Sequence, residues 1–180
     1  TKDTLDAAWS QYEYEFSQKF KDGELPIGLC LTDVSGSMSG LPMDAAIALT
    51  ILLSGLMEEP FKNTCVTFSS NPQYHKFPEG SLREKIRELK KAAWEMSTNF
   101  GKTLDLMLNT GIKHKLTAEQ MPSILYIFSD MQWDVASTNN SQYSYYGSQT
   151  EDTFLTGYDS IKLAYEKAGY PMPHLVFWNL

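Results

Sequence analysis

Cysteine and histidine are scarce in this chain, which has two of the first and three of the second in 180 residues. Two cysteines cannot build a disulfide framework. Both, Cys30 and Cys65, fall in apolar strand-like runs, where a free thiol is usually buried and chemically silent. Such thiols fit a reducing compartment, so the expected location is cytoplasmic (intracellular). His75, His114 and His174 are dispersed, without metal-ligand spacing or a partnered nucleophile. Long apolar runs are missing too. The densest, Ala45 to Met57, is too short to span a bilayer and is broken by Thr50, Ser54 and Gly55. No signal-peptide pattern is present, and no membrane partner is expected. Positive charge is in the minority, with 15 Lys and Arg against 22 Asp and Glu and a net charge of −7. That argues against a dominant nucleic-acid surface, because Lys and Arg drive phosphate binding. Lys85, Arg87, Lys90 and Lys91 alternate with Glu84 and Glu88, as on a solvated helix face. Nucleic acid is therefore not expected as a ligand of this domain alone.

What the chain does have is enough apolar residue (42%) and aromatic residue (13%) to build a core. Its length suits one domain, with an appended helix. It opens on Thr1 rather than methionine, so a fragment of a longer protein is the expectation. Leu5, Trp9, Tyr12, Phe16 and Phe20 recur at helical steps and predict an amphipathic helix, appended over residues 1–23, that packs against the sheet edge or belongs to a preceding domain of the full protein. Residues 24–180 then alternate strand and helix patterns. Strands are predicted near 26–33, 63–68, 73–77, 122–130 and 174–178, and helices near 42–57, 81–93, 98–115 and 152–169. Ser81 and Glu84 form a capping-box pattern at the start of the second of these helices. This alternation predicts an α/β fold, an open, mostly parallel, doubly wound sheet with helices on both faces. The segment from Gln132 to Glu151 has no apolar period, and two assignments stand for it. One is a contact surface carrying Tyr143, Tyr145 and Tyr146; the other is a disordered surface insertion.

The chemistry concentrates at Asp33-Val34-Ser35-Gly36-Ser37, directly after the first apolar strand. A carboxylate and two hydroxyls held by a glycine-containing loop form a hard, all-oxygen donor set, suited to Mg²⁺ or Mn²⁺. Ser123 to Asp130 repeats the theme, an apolar strand ending on an aspartate. Loops at the carboxyl ends of parallel strands share one edge, so Asp33 and Asp130 are expected to meet. Thr98 is expected near the start of the third major helix and on the same edge. The competing assignments are local: a turn or N-cap for Asp33, Ser35 and Ser37, an N-cap for Thr98, and a capping carboxylate for Asp130. Asp134 is read as an exposed loop acid or a group supporting the site, and Asn179 as a neighbour of its rim.

These residues resemble the von Willebrand factor A domain, through Asp33-x-Ser35-x-Ser37, Thr98 and the strand-terminal Asp130. In that family such positions form the metal-ion-dependent adhesion site (MIDAS), within a Rossmann-like fold. The T-N-F around Thr98, F-S-D-M around Asp130 and the ending F-W-N-L are most similar to an uncharacterised branch of plants, fungi and viruses, with the A domain of the Ro autoantigen more distant. The resemblance implies a metal site of Asp33, Ser35, Ser37, Thr98 and Asp130 that engages a carboxylate on a protein partner. The expectation is a binding module and not an enzyme, with no catalytic residue assigned. Two alternatives are carried. A Mg²⁺-dependent phosphoryl hydrolase of haloacid dehalogenase type needs a second aspartate two residues after Asp33; Ser35 stands there and cannot serve as general acid near neutral pH. An RNA-associated scaffold rests on the Ro autoantigen alone, by analogy of fold.

Overall fold

The structure is a computed structural model that describes residues 2–19, 28–69, 71–91, 100–130 and 153–180. Among these, helices α1 (Lys2–Gln18), α2 (Leu41–Leu56), α3 (Leu82–Lys91), α4 (Phe100–His114) and α5 (Thr153–Ala168) alternate with strands β1 (Gly28–Thr32), β2 (Thr64–Thr67), β3 (Tyr74–Lys76), β4 (Ile124–Ser129) and β5 (His174–Asn179). The strands form one five-stranded sheet in the order β3-β2-β1-β4-β5. All neighbours are parallel except β2 and β3, where the short, half-polar β3 closes the edge antiparallel. The fold is α/β with a mostly parallel sheet.

Strand β1 lies at the centre, and every one of its residues is buried. Alternation along it splits the core. Cys30 joins Ile47, Ile51, Leu53, Met57 and Leu89 on the face covered by α2 and α3. Leu29 and Leu31 join Leu104, Met107, Leu108, Ile161 and Tyr165 on the face covered by α4 and α5. Period-two burial on a strand between two helical layers explains why β1 and β4 read as continuous apolar runs. Gly28 is required where it stands, because a Cβ there would run into the ring of Tyr126 on β4. Cys30 and Cys65 are paired in register on β1 and β2, both free and buried, and burial pushes both thiols well up from their ordinary range.

Helix α2 starts after Gly40, whose φ of +94° suits glycine, and carries Pro42 in its first turn. Eight of its side chains are buried, which accounts for its nearly all-round apolar character. At α3 the capping box forms as its sequence suggests: Ser81 N–H donates to Glu84 Oε2 (2.8 Å), and Glu84 N–H to Ser81 Oγ (3.4 Å).

The N-terminal helix departs from the expected stripe. It lies against α3, with Trp9 and Phe16 packed on the α2–α3 core, while Leu5 and Tyr12 point to solvent at 50% and 60% exposure. The half-covered positions are instead Asp6, Trp9, Glu13, Phe16, Ser17 and Gln18. Charge explains the rotation. Asp6 Oδ1 accepts the Leu82 N–H at the start of α3 (3.0 Å), and Glu13 faces Lys85 (3.8 Å). Lys85 is thus no solvated cation, since its side chain is only 14% exposed.

Candidate metal centre

Parallel pairing of β1 with β4 sets Thr32 beside Phe128, and the next backbone bond, Asp33 N–H to Phe128 C=O (2.9 Å), holds Asp33 at the carboxyl end of the sheet. Asp33 is buried at 5% exposure, so its carboxylate needs polar partners. It has them on both oxygens. Ser35 N–H donates to Oδ1 (2.8 Å), and the buried Ser129 hydroxyl donates to Oδ2 (2.7 Å). The first bond folds the chain tightly around Asp33; the second locks it to β4, 96 residues away.

A short 3-10 turn, Gly36–Met38, follows, stitched by Met38 N–H to Ser35 C=O (3.2 Å) and by Ser39 Oγ to Gly36 C=O (2.7 Å). Met38 is fully buried and anchors the turn in the core. With the turn pinned, Ser35 is half-buried, Ser37 is exposed, and their hydroxyl oxygens lie 2.9 Å apart. Behind them, Thr32 Oγ1 meets Thr50 Oγ1 (2.6 Å), tying the end of β1 to α2.

Asp130 directly follows β4 and the Ser129 that holds Asp33. Its Oδ2 is shielded from solvent. The pairing therefore brings Asp33, Ser35, Ser37 and Asp130 to one edge. Thr98 lies outside the described residues, as do Asp134 and the segment from Gln132 to Glu151. Asn179 is exposed and pairs in register with Ser129, at the rim of the same edge.

Two residues escaped the sequence reading. Ser129 fixes the orientation of Asp33; the Ser-Asp dipeptide ending an apolar strand was its only trace. Ser69, just past β2 and also buried, accepts Asn71 N–H (3.0 Å) on the same side of the sheet, since Phe68 N–H donates to Thr32 C=O (3.2 Å). Nothing in its local sequence distinguishes it from a turn serine.

The donor set fits a hard cation. Each Asp33 oxygen keeps lone-pair capacity beyond the one bond described. The Ser35 and Ser37 hydroxyls are hydrogen-bonded to each other at 2.9 Å, a separation that adjacent ligands of an octahedral Mg²⁺ at about 2.0–2.1 Å also have. Among the described residues no three His, Cys, Asp or Glu side chains gather, so a soft, zinc-like centre has no counterpart there. No helix among them is long and apolar enough to cross a membrane.

Residues 27–180 match the family described as Domain of unknown function (DUF7788). Over 150 residues the chain is 36% identical to Uncharacterized protein L728 of Acanthamoeba polyphaga mimivirus, a stretch that covers 83% of this chain and 24% of the viral protein. The chain thus spans about a quarter of the length of that relative. No solved structure gives a significant match. The whole sheet, the Asp33 turn and Asp130 fall inside the matched region while α1 falls outside it, and on that match the chain belongs to the DUF7788 family.

Proposed function

We propose that this domain is a metal-dependent protein-binding module of von Willebrand factor A type, with a MIDAS-like site for Mg²⁺ or Mn²⁺. Asp33, Ser35, Ser37 and Asp130 would hold the ion, with Thr98 as the fifth side chain. The observation that carries this reading is the Asp33 carboxylate, buried yet fixed on both oxygens, at the start of a turn whose Ser35 and Ser37 hydroxyls lie 2.9 Å from each other. Ser129, reaching across from β4, sets the direction in which that carboxylate faces. When bound, the ion supplies a hard electrophilic centre that attracts an anionic oxygen, here a carboxylate of a protein partner. The chain's own residues do the rest. Ser129 and the Ser35 amide orient Asp33, and the hydroxyl ligands stay neutral, so the site keeps appetite for an outside carboxylate. The buried thiols Cys30 and Cys65 support an intracellular setting.

Titration calorimetry with Mg²⁺ and Mn²⁺ tests the site. Ser37 is exposed, so Ser37→Ala leaves the fold intact and should lower affinity about tenfold or more, on the order of the 1.4 kcal/mol that a tenfold change represents. Equal affinity in wild type and variant would sink the assignment. Unfolding in excess EDTA should stay cooperative, because the two core layers do not depend on the ion.

A further inference from the structure

Helix α1 carries four acids against one base, and α3 five bases against two acids. The two helices meet along one narrow stripe. Asp6 takes the Leu82 N–H, Trp9 and Phe16 rest on the α2–α3 core, and Glu13 covers Lys85 while accepting the Trp9 indole N–H at 2.7 Å. Acid and aromatic alternate at positions 6, 9, 13 and 16, the spacing of one helix face. No α1 residue whose side chain is described is buried. The helix also lies upstream of the region shared with the family.

We propose that the surface beneath α1 is a docking site for acidic amphipathic helices, and that α1 is its resident occupant in cis. The site consists of the first turn of α3, the Lys85 ammonium and the apolar ledge that receives Trp9 and Phe16. Its chemistry specifies the partner. The α3 N-terminus and Lys85 call for a carboxylate at each end of about two helical turns, and the ledge calls for an aromatic side chain between them and another one turn on. A stripe without a buried anchor gives modest affinity, so a partner helix of the same pattern can displace α1.

The test uses the full chain. A Trp9→Ala/Phe16→Ala double variant removes the α1 anchors and vacates the ledge. A fluorescently labelled peptide of residues 2–18 should bind this variant at least tenfold more tightly than it binds wild type, whose site is filled. Adding Lys85→Glu to the variant should abolish capture, as should a peptide carrying Glu13→Lys, and added salt should weaken it. Circular dichroism and a cooperative melt establish that each variant is folded. Equal binding to wild type and double variant would overturn the proposal, as would no binding to a folded double variant. A wild-type dimer in sedimentation that exchanges α1 between copies would overturn the assignment in cis.

Discussion

The Asp33 turn and helix α1 are both attached to the same sheet-and-helix body, yet they are attached in opposite ways. The turn is short and polar and would be floppy alone. It is fixed because Asp33 is buried and tied to β4 by a backbone bond and by Ser129, while Met38 plugs it into the core. Helix α1 is long and satisfies its own backbone, but it rests on the body through half-covered side chains such as Asp6, Trp9, Glu13 and Phe16 and leaves Leu5, Tyr12 and Tyr14 in water. Regular structure therefore does not track rigidity here. Opening the turn means breaking the Asp33 ties to Phe128 and Ser129 and unplugging Met38; releasing α1 means breaking the Asp6–Leu82 and Glu13–Lys85 contacts and uncovering the half-buried Trp9 and Phe16 rings. The turn should behave as part of the global folding unit and α1 as a separately opening one.

The largest test of that difference is Asp33→Ala. It deprives the buried Ser129 hydroxyl and the Ser35 N–H of their acceptor. The expected cost in urea unfolding is about 2–4 kcal/mol, together with loss of metal binding. Asp33→Asn keeps a carbonyl oxygen and should lose less stability. A cost near zero for Asp33→Ala would mean that the turn is attached as loosely as α1. Ser129→Ala comes next, at about 1–2 kcal/mol, because one charge-assisted bond is lost while the Ser35 N–H remains in place. On the proposed function it should also weaken Mg²⁺ binding, because Ser129 orients Asp33.

Trp9→Ala addresses the other side. The ring is only half-covered, so the expected loss is about 1 kcal/mol or less in global unfolding. Hydrogen exchange gives the sharper readout. Amides of α1 should lose protection in the variant while those of β1 and β4 keep theirs. Parallel loss of protection in both regions would merge the two units into one.

The same contrast governs what could be read from the sequence. Alternation of apolar strands and helices was legible because both faces of β1 and β4 are buried, which leaves long apolar runs. Asp33, Ser35, Ser37 and Asp130 could be placed on one edge because parallel pairing sends successive strand ends the same way. The bond from Ser129 to Asp33 could not, since a serine before an aspartate has no signature until the register is known. Helix α1 misled for a different reason. Its apolar spacing suggested Leu5 and Tyr12 as contacts, but the partner surface is basic, and the match of Asp6 and Glu13 to Leu82 N–H and Lys85 turned the helix. Periodicity finds a helix; it does not see the charge of what the helix will rest on.

The smallest expected effect lies at the far edge of the sheet, on β3. His75 is half-buried with Nε2 3.1 Å from Thr67 Oγ1. Burial holds its pKa below the ordinary 6.5, and the Glu88 carboxylate offsets only part of that. As pH falls, the unfolded chain takes up this proton near its ordinary pKa, while the folded protein resists until its lower one. Between the two values the unfolded state binds more protons, so stability rises with pH there. The contribution is complete above about pH 6.5 and is lost as the pH drops toward the folded value. His75→Gln should flatten that part of the stability profile, measured by urea unfolding at closely spaced pH. Because β3 belongs to the sheet, the effect should enter global unfolding and leave the protection of α1 amides unchanged. A slope of the same size in the variant would assign the pH dependence to other groups. A shift in α1 protection would show that β3 and the N-terminal helix open together, and the separation between tied turn and resting helix would fail at that point.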